Sequence, residues 1–193
     1  MAIDQPVLEQ VLVALGAVLA SRGSIFEIVV VGGSGLLLLG LAERTTRDLD
    51  VLAIVSDGRY GSSAPLPSAL AMAARDVAGL FGLSMNWLNP GPTSLLDFGL
   101  PVGFTERVAT RRYGGLIVHV ASRLDQICLK LHAAADQGSR SKHAADLEAL
   151  AATPEELLFA ARWALTQDAS EAFRRVLIEA LVFFGVSDAD EHI

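Results

Sequence analysis

The chain has 193 residues, of which 52% are hydrophobic, and a formal net charge of −7. This length suits one domain with a helical extension, and the hydrophobic content predicts a substantial core. The acidic balance argues against strong nonspecific nucleic-acid binding and against a polybasic membrane-binding face. A single cysteine excludes an internal disulfide and, with only four histidines, leaves no zinc cluster at ligand spacing.

The first predicted elements are a helix and a buried strand. Apolar residues at helical spacing predict a helix over 7–21, with Gly23 as the residue that ends it. Its apolar centre resembles that of a signal peptide, but Asp4 and Glu9 stand where a basic region is needed, so we expect a cytoplasmic protein. β-Branched residues then predict a strand over 28–31, followed by a glycine turn at 32–35 and a short helix at 36–42. This apolar run is too short and too glycine-rich to span a bilayer, so no membrane partner is expected.

The next part of the chain predicts a mixture of elements. Residues 57–67 are rich in Gly, Ser and Pro and predict a long loop. A helix is expected over 66–81, a strand over 83–88, and a turn at 89–92. Residues 106–120 predict a β-hairpin that turns at 113–115. Alternating helices and strands that finish in a hairpin predict an α/β (α+β) domain, a mixed sheet flanked by helices, over 1–121.

From residue 122 onward the pattern is helical. Helices are expected from 122, over 139–150, from 153 to about 166 and over 170–184. Thr153, Pro154 and Glu156 have the order of a capping box that starts the third of these helices. We therefore expect a helical segment over 122–193 that packs on the first domain.

Two carboxylates stand at the head of the strand after the short helix. Side chains alternate across a strand, so Asp48 and Asp50 should share one face while Leu49 points to the other. Like charges on one face repel unless a cation lies between them, and Mg²⁺ prefers such oxygen ligands. Upstream, the glycine turn offers bare backbone N–H groups at a helix start, which suits a phosphate. A turn without a ligand remains the alternative.

These residues resemble a known family. Gly32-Gly33-Ser34 is followed after thirteen residues by Asp48-Leu49-Asp50. This order and spacing resemble the core motif of the DNA-polymerase-β-like nucleotidyltransferase superfamily. The fuller pattern Arg44-x-Thr46-x-Asp48-Leu49-Asp50 is similar to the AbiEii-type branch, which includes toxins of bacterial toxin–antitoxin and phage-defence systems. The resemblance implies a nucleotidyltransferase-like fold for the first domain.

The resemblance extends to the helical part, where 129–133 and 140–147 are similar to two further segments of that branch. It implies a nucleotidyltransferase with Mg²⁺ (or Mn²⁺) held by Asp48 and Asp50, and Asp146 as general base. The nucleotide-binding residues that it implies are Gly32, Gly33, Ser34, Arg44, Thr46 and Lys130. A lysine that extends to solvent is the alternative for Lys130, and a salt bridge to Lys142 is the alternative for Asp146.

One departure from the family pattern bears on activity. Many superfamily members carry a third carboxylate on a later strand, and the predicted strand over 116–120 has only His119 as a polar residue. Histidine is a poor ligand for Mg²⁺, and a hydrogen-bonded core histidine is the alternative. Asp97 is another acidic candidate for the third position.

The resemblance implies the transfer of a nucleotidyl group from an NTP to an RNA 3′ end, such as that of tRNA, or to a protein hydroxyl. A cognate antitoxin or regulator is the partner that it implies. The missing third carboxylate favours a second hypothesis, a catalytically inert nucleotide-binding or interaction module of the same fold. A third hypothesis is a dinucleotide-dependent redox enzyme. Gly33-x-Gly35 begins that fingerprint, but Leu38 stands where its last glycine belongs.

Overall fold

The computed structural model describes residues 2–138 and 140–193. It contains one mixed, open sheet flanked by helices and a helical C-terminal segment, which confirms the predicted mixed α/β fold class. The chain forms two compact units. The first contains Thr105–Ala121 and the described residues before Phe98, and the second contains Phe98–Phe104 and Ser122–Ile193.

The first unit is built on the sheet. Its strands are β1 (Phe26–Val31), β2 (Leu49–Ser56), β3 (Arg59–Ser62), β4 (Leu88–Asn89), β5 (Ala109–Tyr113) and β6 (Leu116–Val120). The strand order is β3-β2-β1-β6-β5, and β4 pairs with β2 outside this path. Strands β1 and β6 are parallel, as are β2 and β4, whereas the other pairs are antiparallel.

Helices of the first unit cover the apolar face of this sheet. They are α1 (Gln5–Ser21), α2 (Gly32–Leu39) and α3 (Ser68–Phe81). The short α4 (Phe104–Arg107) has its first residue in the second unit and its other residues in the first. One hydrophobic core joins α1 and α3 to Ile28 and Val30 of β1 and to the alternate apolar residues of β2 and β6. Gly16 lets α1 approach the β5–β6 hairpin, because a Cβ there would lie 1.5 Å from the carbonyl oxygen of Tyr113.

The pairing of β1 with β2 contains a β-bulge. Val29 pairs with Ala53 and Val30 pairs with Val51, so Leu52 is one extra residue on β2. The ladder continues beyond the bulge and ends with Val31 opposite Asp50. A bulge of this kind offsets the register locally, so the side chains of residues 49–55 do not alternate strictly between the two faces of the sheet.

Four predicted elements of the first unit differ from the structure. The hairpin predicted over 106–120 begins only at Ala109, because Glu106 and Arg107 belong to α4. The loop predicted over 57–67 contains strand β3, which forms a hairpin with β2 through Asp57 and Gly58. Both residues have positive φ, 51° and 72°, as a two-residue hairpin turn of Asp-Gly type requires. The strand predicted over 83–88 is reduced to β4, and the helix predicted over 36–42 is α2, which begins four residues earlier.

The second unit is helical. It contains α5 (Arg123–Gln137), α6 (Lys142–Leu150), α7 (Pro154–Gln167), α8 (Glu171–Phe183) and α9 (Ala189–His192). Helix α5 packs against α6, α7 and α8. The predicted capping box is confirmed at α7, where Thr153 and Glu156 bond reciprocally. The start predicted for the preceding helix, Ser139, lies outside the described residues. None of the described helices has the length and apolarity needed to cross a membrane.

Candidate functional site

The start of α2 brings glycine backbone to the end of β1. Gly32 is the first residue of the helix and has φ +71°, a conformation that a residue with a Cβ rarely adopts. The predicted glycine turn is therefore the first turn of α2 itself. Ser34 is fully buried, and its hydroxyl donates to the Val31 carbonyl and accepts from the Asp50 N–H, both at 3.3 Å. This hydroxyl joins α2 to β1 and β2 and is therefore already hydrogen-bonded. If Ser34 binds a phosphate, its backbone N–H is the donor.

The Asp50 carboxylate lies directly against this glycine. A Cβ built on Gly32 would lie 2.2 Å from Oδ2 of Asp50, a distance that no real side chain could occupy. The other oxygen, Oδ1, accepts a hydrogen bond of 2.8 Å from Nδ2 of Asn89 on β4. Asn89 on β4 therefore holds one oxygen of the Asp50 carboxylate, and the partly exposed backbone of Gly32 at the start of α2 lies beside the other.

The loop between α2 and β2 surrounds the next glycine. A Cβ on Gly33 would lie 3.4 Å from Nη2 of Arg44 and 3.4 Å from Oγ1 of Thr46. The Thr46 hydroxyl also bonds to Asp48, 3.2 Å from its carbonyl oxygen and 3.3 Å from Oδ1. The backbone of Thr46 pairs with Ile3 through two hydrogen bonds of 2.8 Å. The N-terminal segment thus holds this loop in place, a contact that no motif in the sequence indicated.

Seven of the predicted site residues are therefore neighbours in the first unit. They are Gly32, Gly33, Ser34, Arg44, Thr46, Asp48 and Asp50. Asp48 immediately precedes β2 and is partly exposed, as is Asp50.

No protein-family model, curated protein or solved structure matches this chain.

The two remaining predicted residues lie in the second unit, where they contact each other. Nζ of Lys130 on α5 is 2.6 Å from Oδ2 of Asp146 on α6, and the side chains are only 4% and 3% exposed. The salt bridge of Asp146 is thus to Lys130, whereas Lys142 is exposed. The pair joins two helices of the second unit, and a buried ion pair of this kind depends strongly on both partners. Its predicted roles in phosphate binding and proton transfer stay predictions.

His119 has two partners of its own. Its Nδ1 is 2.9 Å from Oγ1 of Thr110, and its Nε2 is 3.3 Å from Oε2 of Glu27. Strand β6 pairs with β1 and not with β2, with His119 opposite Val29. The strand expected to carry a third carboxylate is therefore separated from Asp50 by β1. The strand neighbours of Asp50 are Val31 on β1 and Asn89 on β4.

The residues at the head of β2 fit a hard divalent cation that is shared with a substrate. Within residues 2–138 and 140–193, no group of three or more His, Cys, Asp or Glu side chains could hold a metal ion. Asp48 and Asp50 supply two carboxylates, and Mg²⁺ is commonly bound by one or two carboxylates together with substrate phosphates and water.

Proposed function

We propose that the first unit binds a nucleoside triphosphate with Mg²⁺ or Mn²⁺ and transfers its nucleotidyl group to a hydroxyl. The observation that carries the proposal is the contact between the Asp50 carboxylate and the Gly32 backbone at the start of α2. It supports the proposal because Asp50, the proposed cation ligand, lies beside backbone of the kind that binds phosphate. The resemblance to the nucleotidyltransferase superfamily, and to its AbiEii-type branch, supports the same assignment.

The proposed role of each residue follows from the chemistry of its side chain or backbone. Asp48 and Asp50 would hold metal ions, of which one would lower the pKa of the attacking hydroxyl and hold the triphosphate, and a second would stabilise the leaving pyrophosphate. The N–H groups of Gly33 and Ser34 would donate to the triphosphate, and Arg44 beside Gly33 would orient it through its guanidinium. A new ester bond to the α-phosphorus forms as the bond to pyrophosphate breaks. The resemblance assigns Lys130 to the phosphates and assigns the hydroxyl proton to Asp146.

The acceptor and partners follow from the resemblance alone. An RNA 3′ end, such as that of tRNA, or a protein hydroxyl would accept the nucleotidyl group. A cognate antitoxin or regulator would control the reaction.

The test compares nucleotide binding in matched charge variants. Wild-type protein should gain thermal stability from an NTP with Mg²⁺, since a ligand that binds only the native state stabilises it by mass action. Asp48→Asn and Asp50→Asn should abolish the gain. Asp57→Asn removes the same charge in the turn at the opposite end of β2, so it should keep the gain. An equal gain in all four proteins would contradict the proposal.

A second candidate function is an inert nucleotide-binding or interaction module. The observation that favours it is the neutral Asn89 beside Asp50, with His119 engaged elsewhere. Incubation with labelled NTPs, Mg²⁺ and total RNA or protein separates the two functions. Label transfer that depends on Asp48 supports the enzyme, whereas binding that depends on Asp48 without transfer to either acceptor supports the inert module.

A further inference from the structure

Helix α8 is apolar on two faces. One face is buried in the second unit, and its residues are Phe173, Leu177 and Leu181. The other face carries Val176, Ala180 and Phe183 at intervals of four and three residues, so these side chains form one stripe along the helix. Val176 and Phe183 are 38% and 52% exposed. Because a helix that is apolar around much of its circumference is usually buried, an exposed stripe of this kind indicates an interaction surface.

Two open grooves meet at Phe183. The first, of about 490 Å³, lies between α8 and the end of α5 and is lined by Val176, Ala180 and Phe183. The second, of about 380 Å³, lies between the ends of α6 and α8 and includes Leu147 and Leu157. Phe183 lines both grooves, so its ring forms the ridge between them. The surface therefore offers two adjacent apolar depressions to a partner.

The side chains around these grooves are negatively charged. Asp136 and Glu179 line the first groove and Glu148 lines the second, and all three are exposed. Among the described residues that line the two grooves there is no Lys or Arg. Arg175, the neighbour of Val176 on α8, donates through Nε to the Glu171 carbonyl at 3.2 Å. Charge complementarity at this surface therefore favours a basic partner.

Three helix ends add to this negative charge. Helix α5 ends at Gln137, α6 at Leu150 and α8 at Phe183, and residues within two positions of each end line the grooves. The last carbonyl groups of a helix carry partial negative charge and stabilise nearby cations. Side chains and backbone thus act in the same direction. They attract a basic segment and repel a second copy of the same face, which a symmetric dimer would bring against it.

We propose that the exposed stripe of α8 binds a basic amphipathic helix of a protein partner. Apolar side chains one turn apart on that helix would fill the two grooves on either side of Phe183. Its Lys and Arg residues would meet the carboxylates of Asp136, Glu148 and Glu179. In its described residues the second unit has no strand whose edge a partner could extend, so a helix is the element that fits. This role is separate from nucleotide binding and uses none of the residues assigned to it.

The test uses three labelled synthetic peptides and the full chain. The first peptide is a helix with Leu one turn apart and Lys at the margins, the second has Glu in place of Lys, and the third has the composition of the first in an order without an apolar face. Phe183→Ser removes the ridge, and Leu80→Ser is its control, since Leu80 is 74% exposed near the end of α3. Glu179→Lys reverses one charge, and Glu106→Lys is its control at an exposed position of the first unit.

We expect fluorescence anisotropy to show that the Lys peptide binds wild-type protein about tenfold more tightly than the Glu peptide or the reordered peptide, and less tightly as salt is added. Phe183→Ser should weaken binding of the Lys peptide by about tenfold, as the loss of a central aromatic residue does at other interfaces. Glu179→Lys should weaken it by about fivefold and improve binding of the Glu peptide. Leu80→Ser and Glu106→Lys should bind as the wild type does.

Four outcomes would overturn the inference. They are equal binding of the Lys and Glu peptides, equal binding of the reordered peptide, a loss no larger in Phe183→Ser and Glu179→Lys than in their controls, and no binding of any peptide. Sedimentation of the wild-type protein provides the fifth, because a dimer that Phe183→Ser dissociates would show that a second copy covers this face. Glu179→Lys leaves Phe183 in place, so the charge comparison decides the outcome even if Phe183→Ser does not fold.

Discussion

The carboxylate of Asp50 occupies the space in which a side chain of Gly32 would lie, with Oδ2 only 2.2 Å from the ideal Cβ position. Position 32 therefore requires glycine for two reasons, the φ of +71° and this contact. The backbone requirement is shared with many turn glycines, whereas the contact belongs to the proposed cation site.

Substitution of Gly32 separates these two requirements. Gly32→Ala should destabilise the protein by the strain of positive φ, about 1–2 kcal/mol, and by a further amount for displacing Asp50. Gly40→Ala is a matched control, because Gly40 has φ +70° but no atom within 4 Å of its Cβ position. The measurement is the free energy of unfolding in urea.

A second substitution identifies the source of the extra cost. Adding Asp50→Ala to Gly32→Ala should recover part of the lost stability, since the obstructing carboxylate is gone. Equal losses from Gly32→Ala and Gly40→Ala, with no recovery in the double variant, would contradict the contact.

The buried Lys130–Asp146 pair should be costly to break. Lys130→Met leaves the Asp146 carboxylate buried without its charge partner, which costs about 3–5 kcal/mol in comparable cases. Arg22→Met removes one partner of the exposed pair with Asp76, whose side chains are 40% and 55% exposed, and should cost about 0–1 kcal/mol. Urea unfolding of both variants is the measurement, and similar losses would contradict the burial of the pair.

The double variant Lys130→Met with Asp146→Leu distinguishes stability from function. Removing both charges should recover part of the stability that Lys130→Met loses, because the Asp146 carboxylate is then no longer buried without Lys130. If the pair also serves nucleotide transfer, as the resemblance implies, the restored protein should still lack activity. A stable double variant with normal nucleotide binding and transfer would reduce the pair to a structural role.

Tyr113 should titrate at unusually high pH. Burial, followed by the hydrogen bond of 2.8 Å to Glu9, raises the pKa of Tyr113 from 10.0 to about 12. Because the folded pKa is the higher one, its contribution to stability is complete below pH 10.0 and is lost as the pH rises through about 12. Ultraviolet difference spectroscopy of the phenolate should show this titration, and Tyr113→Phe should leave only that of Tyr60. A single titration near pH 10.0 for both tyrosines would contradict it.

The capping box of α7 should make stability sensitive to acid. The hydrogen bond from Arg123 lowers the pKa of Glu156 below 4.5, burial opposes this shift, and the Thr153 N–H assists it. The stabilising contribution is therefore present above pH 4.5 and is lost as the pH falls through the lowered pKa. Glu156→Gln should show a flatter decline of unfolding free energy below pH 4.5, whereas Glu155→Gln, at an exposed neighbouring position, should follow the wild type. Parallel curves for all three proteins would contradict the prediction.

Elements with strong local patterns were predictable from the sequence. Helix α1 ends where Gly23 adopts positive φ, and the β5–β6 hairpin turns at its glycines. The capping box at Thr153 predicted the start of α7 within one residue. In each case the deciding interactions lie within a few residues of one another, so sequence pattern and structure depend on the same contacts.

The missed elements have physical explanations of two kinds. Strand β3 is short and largely exposed, so its residues lack the apolar pattern of a strand, although Asp57-Gly58 is a recognised hairpin turn. Helix α2 begins among glycines, which have low helix propensity, and tertiary contacts such as the buried Ser34 hydroxyl hold it there. In both cases the intrinsic propensities of the residues predicted less helix or strand than the structure contains.

The candidate site shows the same division between local and long-range information. The residue pattern indicated the glycine turn and the pair Asp48 and Asp50, and the family resemblance added Arg44 and Thr46. Asn89 escaped notice because its segment predicted only a turn, and its contact with Asp50 depends on β4 pairing with β2. Likewise, Ile3 reaches Thr46 through a bridge between distant parts of the chain.

The extra residue at Leu52 divides the pairing of β2 with β1 into two segments whose registers are offset by one residue. Insertions or deletions in the β2–β3 hairpin need not shift Asp50, because the bulge lies between the hairpin and that end of β2. An engineer could therefore exchange the β2–β3 hairpin for another of different length and retain the geometry around Asp50, provided that Leu52 stays unpaired.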